Sequence, residues 1–281
     1  MKPLKLEIDS IIIRALKEDI NYIDITTDNL IDDSIVKTAN FVSKDDGVVC
    51  GTEIAMRVFE LLDDKISYEI FYDDGKKIKK GDVIASVTGS AKTLLKGERT
   101  ALNLITHLSG IATTTNRYVE LIKGTNASIA DTRKTLPGLR CLQKYAVTVG
   151  GGKNHRYNLS DCAMLKDTHL DAYGSITNAV TELRKHIGHT IKIEVETTNL
   201  SEVKEALSVG AELIMLDNMT CDEMSKAVKL VDGKAKLEAS GNVNESTVRK
   251  IAETGVDIIS IGALTHSVKC FDISMKIKNC E

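Results

Sequence analysis

Residues 191–217 read IKIEVETTNLSEVKEALSVGAELIMLD, and their pattern decides the fold. At one end Ile191, Ile193 and Val195 alternate with Lys192, Glu194 and Glu196. A period of two places one triplet on each face of a strand. At the other end Leu213–Asp217 is a short apolar run closed by an acid. The span between them has the length of one helix with its turns. Strand, helix and strand in succession make a βα unit, the building block of a parallel sheet.

Working outward, the same unit recurs. Expected strands are Ser128–Asp131, Ala163–Lys166, Ile191–Glu196, Leu213–Asp217, Lys236–Ser240 and Ile258–Gly262. The last four ends are 21, 23 and 22 residues apart. All six strands end on a charged residue, a hydroxyl or a glycine: Asp131-Thr132-Arg133, Lys166, Glu196, Asp217, Ser240-Gly241 and Gly262. In a parallel barrel these ends open on one face, where active sites assemble. The charged triplet of Lys192, Glu194 and Glu196 is then expected to face the interior, where charges must be paired. Glu238, two residues before Ser240, repeats the pattern.

Before residue 125 the chain mixes the two structures. Residues 7–20 carry helical spacing in Ile8, Ile11, Ile12, Ala15 and Leu16. Asp24–Thr27 (DITT) reads as a polar turn. Strands are expected within 35–50, 66–72 and 82–88, and a helix bearing Ala55, Met56, Val58, Phe59, Leu61 and Leu62. Residues 97–123 read as a long helical region whose middle Gly110 and the threonines weaken, so that a break or two helices fit equally well.

Composition excludes several classes. A net charge of −3 argues against a general nucleic-acid binder, so an anion site must come from a local cluster. With no tryptophan and 4% aromatics, a stacking surface for single strands is not expected. No apolar run approaches the roughly 18–20 residues that span a bilayer. The first residues, MKPLKLEIDS, are charged where a signal peptide is apolar, and the reading is a cytoplasmic protein. The six cysteines contain no C-x-x-C pair and read as reduced, small buried hydrophobes.

The densest chemistry lies in residues 131–169, DTRKTLPGLRCLQKYAVTVGGGKNHRYNLSDCAMLKDTH. Arg133, Lys134, Arg140, Lys144, Lys153, His155, Arg156, Lys166 and His169 all fall in this stretch. Guanidinium forks match carboxylate and phosphate oxygens, and lysines add compact charge. Such a cluster expects a polyanionic substrate. Gly150-Gly151-Gly152 permits close backbone approach, but Val147 and Asn154 rule out a Walker A loop. Glu196 and Asp217 can accept from sugar hydroxyls and help hold Mg²⁺ on a pyrophosphate. Ser240-Gly241-Asn242 and Ile261-Gly262-Ala263 follow the last two strands, where barrels bind phosphate through backbone N–H groups. A barrel aldolase using Lys166 as a Schiff base and a non-enzymatic anion-binding protein are the competing readings.

The motifs DITT (24–27), KGERTALNLITHLSGIATTT (96–115), DTRKTLPGLR (131–140), GGGKNHRYNLSDCAMLKDTH (150–169), IEVET (193–197), LIMLDNM (213–219), LEASGN (237–242) and SIGALTHS (260–267) resemble the quinolinate phosphoribosyltransferases. These are also called carboxylating nicotinate-nucleotide pyrophosphorylases. The resemblance implies an α/β fold: an incomplete parallel α/β barrel of the type II phosphoribosyltransferase kind, with an N-terminal α/β sandwich lobe. It implies residues 1–110 as the lobe, joined by 268–281, and 111–267 as the barrel. It implies two substrates, quinolinate and phosphoribosyl pyrophosphate, with Mg²⁺ as cofactor. It also implies a homodimer, or a higher oligomer built from it, in which Arg99 reaches the neighbouring subunit's quinolinate. Thr132, Arg133, Lys134, His155, Arg156 and Lys166 would line the quinolinate pocket. Glu196 and Asp217 would hold the ribose hydroxyls and metal. Ser240, Gly241, Asn242, Ile261, Gly262 and Ala263 would hold the 5′-phosphate. Lys134, Lys166, Glu196 and Asp217 would be the catalytic set. Asn242 departs from the family pattern, where glycine is common. A paralogue associated with molybdate transport shares these loops and remains the nearest rival.

Overall fold

The computed structural model describes residues 2–278. Met1 and residues 279–281, Cys280 among them, lie outside the described residues. The chain divides into two compact units. The first runs to Asn116 and takes in Thr135–Gly151 and the residues from Leu264 onward. The second comprises Arg117–Lys134 and Gly152–Ala263. Residues 135–151, expected with the barrel segment 111–267, thus group with the first unit. Helix Arg140–Val149 explains why, since it buries Leu142, Gln143, Lys144, Ala146 and Val147. Gln143 donates to the Thr265 carbonyl at 3.0 Å and pairs with His107 Nε2 at 2.8 Å. Tyr145 donates to Asp74 at 2.8 Å.

The first unit is built on a four-stranded antiparallel sheet in the order Ile273–Ile277, Val36–Ser43, Val83–Ser90, Ser67–Ile70. Helix Lys5–Ile20 buries Ile8, Ile12 and Leu16, one residue per turn along a single stripe. Phe41 of the second strand meets Phe59 of helix Thr52–Glu60 edge to face, with ring centres 6.1 Å apart. DITT is more than a turn. The Asp24 carboxylate accepts from Thr26 and Thr27 N–H and caps helix Ile25–Leu30. Helix Ala91–Leu121 continues unbroken through Gly110. A Cβ at Gly110 would collide with the Lys269 carbonyl, so close packing offsets its poor helix propensity.

The second unit carries six parallel strands in the order Ser128–Ala130, Ile258–Ser260, Lys236–Ser240, Leu213–Asp217, Ile193–Thr197, Ala163–Leu165. The two outermost strands of this order are not paired to each other, so the barrel is incomplete. Strands Leu213–Asp217 and Lys236–Ser240 match their expected bounds. The strand expected at 191–196 begins two residues later, at Ile193. Lys192 therefore lies before the strand and is exposed rather than inward. Glu194 and Glu238 are buried in the interior as expected, at 0% and 1% exposure.

Five cysteines fall among the described residues, and all are free. Only Cys50 is buried and Cys270 is exposed, so burial as small hydrophobes does not hold for the set. No helix of the described residues is long and apolar enough to cross a membrane.

Candidate active site

Neighbouring strands deliver the rim groups side by side. Lys166, Glu196, Asp217 and Ser240 sit at the ends of four adjacent strands, and register pairs Ser240 with Asp217. Lys166 Nζ donates to Glu196 Oε2 at 2.9 Å. Asp217 Oδ2 accepts from the Asn218 amide at 2.8 Å, and Asn218 Oδ1 accepts from the Asn242 amide at 3.0 Å. Both asparagines sit at positive φ, 54° and 52°, a conformation asparagine tolerates better than most residues. Gly241 lies between Ser240 and Asn242 at φ 94°. A side chain there would strike the Asn218 amide. The Asn242 side chain thus adds a hydrogen bond to this loop.

A second cluster lies below the rim. Asp131 is fully buried at the end of strand Ser128–Ala130. Its carboxylate accepts the His155 N–H at 2.9 Å and the Asn154 amide at 2.6 Å. The His155 ring points inward, and its side chain is only 10% exposed. Nε2 lies 3.1 Å from Glu194 Oε2 and 3.4 Å from Glu238 Oε2. Burial alone would lower the imidazole pKa. The two carboxylates outweigh burial and push it up to about 10. Burial, reinforced by nearby Glu238, raises the Glu194 pKa, while His155 acts to lower it. Nε2 keeps its proton whether the ring is neutral or charged. Arg156 N–H lies 2.7 Å from Nδ1, a contact that suits the neutral ring and must lengthen when Nδ1 is protonated.

The three side chains offer ligand atoms within 4.8 Å of one another, close enough for a metal ion. With its pKa pushed up to about 10, the imidazole carries a second proton at neutral pH, and the cluster is read as an ion pair centred on Nε2.

The other expected residues are placed as follows. Arg156 is half-buried and donates to the Cys162 carbonyl at 2.8 Å, with Met164 Sδ at 3.5 Å. Lys134 N–H donates to Thr132 Oγ1 at 3.0 Å, which tightens the turn beside half-buried Arg133. Ile261 N–H donates to the Ala130 carbonyl at 2.9 Å, so it is committed to the sheet and not to a phosphate. Gly262 and Ala263 follow it at the strand end. His155, assigned with the quinolinate pocket, has its Nε2 between the two buried acids. Arg99 belongs to the first unit. It is exposed on helix Ala91–Leu121 at an open cleft of about 280 Å³ shared with Asn103, Thr106 and Asp272.

Sequence reasoning missed the work of Asp131 and Asn218. It noted Asp131 as a rim acid but not as the anchor of the 154–155 loop. A signal was present in both cases, since each lies beside a residue singled out for chemistry.

Two family models cover nearly the whole chain. The quinolinate phosphoribosyl transferase N-terminal domain matches residues 24–109, and the C-terminal domain of the same family matches 111–276. A carboxylating nicotinate-nucleotide pyrophosphorylase of Mycobacterium leprae is 42% identical over 270 residues, spanning 94% of this chain and 95% of its own. The crystal structure of NadC from Streptococcus pyogenes is 38% identical, covers 100% of both chains and superposes with a TM-score of 0.96. That of a nicotinate-nucleotide pyrophosphorylase from Ehrlichia chaffeensis is 42% identical, with 99% and 100% coverage and a TM-score of 0.93.

Proposed function

The chain belongs to the quinolinate phosphoribosyltransferase family, and from that premise we propose how its residues divide the work. The protein is a pentosyltransferase of NAD biosynthesis. It joins quinolinate to phosphoribosyl pyrophosphate and yields nicotinate mononucleotide, pyrophosphate and CO₂.

One observation carries the division of roles. Lys166, Glu196, Asp217 and Ser240 stand at adjacent strand ends of one parallel sheet, the rim where barrels do their chemistry. Arg133, Lys134, Arg156 and Lys166 bind the two quinolinate carboxylates, and Thr132 shapes the turn between the first two. Guanidinium forks fix the ring so that its nitrogen faces C1 of the ribose. Glu196 and Asp217 accept from the ribose hydroxyls, and their charge stabilises the ribosyl carbon as the bond to pyrophosphate loosens. Ser240, Gly241, Asn242, Gly262 and Ala263 hold the 5′-phosphate. Once the nitrogen is quaternary, the bond to the adjacent carboxylate breaks. Its electron pair passes to the ring carbon, which takes a proton as CO₂ departs.

Glu196 and Asp217 also suit Mg²⁺ through the hard oxygen chemistry of their donors. Each has one oxygen engaged, by Lys166 and Asn218 respectively. Two such acids would hold the ion weakly until a pyrophosphate completes the set. Bound there, Mg²⁺ would supply neutralisation of the leaving pyrophosphate.

The same proposal includes a cytoplasmic location and a homodimer in which Arg99 serves the neighbouring subunit. Exposed Arg99 and the exposed apolar side chains Leu4, Leu6, Ile25 and Leu30 support a partner surface on the first unit. Substrate replacement tests the reading. Nicotinate in place of quinolinate should give little product, because the forks are set for two carboxylates. Equal use of both acids would refute the assignment.

A further inference from the structure

Glu194 and Glu238 have no solvent exposure to speak of, at 0% and 1%, so neither meets a substrate at the mouth. Apolar residues would fill the same interior positions at lower cost, since a buried carboxylate must be compensated. The two acids lie on strands separated by Leu213–Asp217 and converge on one atom, His155 Nε2. His155 is thus held from two directions. Asp131 grips its backbone N–H, and the acids grip its ring. The next residue is Arg156, whose guanidinium is steadied at its far end by the Cys162 carbonyl.

We propose that Glu194 and Glu238 are positioning residues for the quinolinate pocket: through His155 they set where Arg156 presents its guanidinium. This rests on the assignment of Arg156 to quinolinate given above. A fork that binds a planar carboxylate loses most of its advantage when displaced by a fraction of an ångström. The Nε2 proton lies between the two carboxylates in either charge state of the ring.

A double-mutant cycle on the full-length enzyme tests the coupling. Glu238→Ala should raise KM for quinolinate about tenfold, leaving KM for phosphoribosyl pyrophosphate within about twofold. Glu238→Gln, which keeps a carbonyl to accept from Nε2, should recover most of the loss. In an Arg156→Ala background, Glu238→Ala should change KM for quinolinate by less than about twofold. If Glu238→Ala does not fold, the isosteric pair Glu194→Gln with Glu238→Gln replaces it, with an expected rise of about threefold. An unchanged KM in that pair, equal effects in both Arg156 backgrounds, or a parallel shift in both KM values would overturn the inference. Wild-type enzyme that fails to use quinolinate would instead sink the assignment of function, so the two failures are distinguishable.

Discussion

A triad and a pair of charged side chains in the barrel unit use the same chemistry at different depths. The His155–Glu194–Glu238 cluster is nearly closed to solvent, with side chains 10%, 0% and 1% exposed. The Lys166–Glu196 pair stands at the rim, at 46% and 16%. Burial decides what each can do. An inner charge cannot lose its partner without stranding another in a low-dielectric interior. A rim pair loses little when it opens, because water and substrate oxygens can take over. The inner cluster is therefore suited to hold a shape, and the outer pair to exchange partners as substrates enter.

The largest effect should come from removing the inner cation. His155→Leu leaves two buried carboxylates facing each other and should lower stability by about 3–5 kcal/mol, read by urea denaturation. Acid should restore part of it, because Glu194, whose pKa burial raises, favours folding when protonated. Loss of less than about 1 kcal/mol would mean the cluster is not under charge tension. Next, Arg156→Ala should cut kcat/KM for quinolinate about a hundredfold, the scale of a charge-assisted fork. Turnover like that of the wild type would remove Arg156 from the pocket.

Intermediate in size is a pH effect. His155 has its pKa raised to about 10, against about 6.5 for an unfolded chain. Its contribution is fully present below the lower value and is lost as pH rises through the higher one. Unfolding free energy should decline across that window, and the decline should be shallower in His155→Gln. Lys166→Met should leave the slope intact and change stability by about 1 kcal/mol or less, while impairing turnover. The smallest effect belongs to Asn242→Gly. Glycine accepts the φ of 52° without strain, so stability should move by no more than about 0.5 kcal/mol. KM for phosphoribosyl pyrophosphate should rise about twofold as Asn218 loses its partner.

The outer part of this picture was legible in the sequence because it is local. Alternation and βα spacing located the strands ending at Asp217 and Ser240 to the residue. The same logic named the rim groups, since a strand end is a sequence position. Periodicity also placed Glu194 inside, but it carried Lys192 along, because alternation does not say where pairing starts. The inner cluster was legible only in pieces. His155 stood out by its basic neighbours, which say nothing of its contacts. Its partners lie on two other strands, and only the tertiary fold brings them to Nε2. Grouping of residues 135–151 with the first unit was hidden for the same reason. The contacts of Gln143 and Tyr145 join segments far apart in the chain.

Product stoichiometry tests the central claim most directly. Purified enzyme with quinolinate carrying a labelled carboxylate beside the nitrogen, phosphoribosyl pyrophosphate and Mg²⁺ should release labelled CO₂ and pyrophosphate in equal amounts, matched by nicotinate mononucleotide. Pyrophosphate release without CO₂, or no turnover at all, would contradict the account.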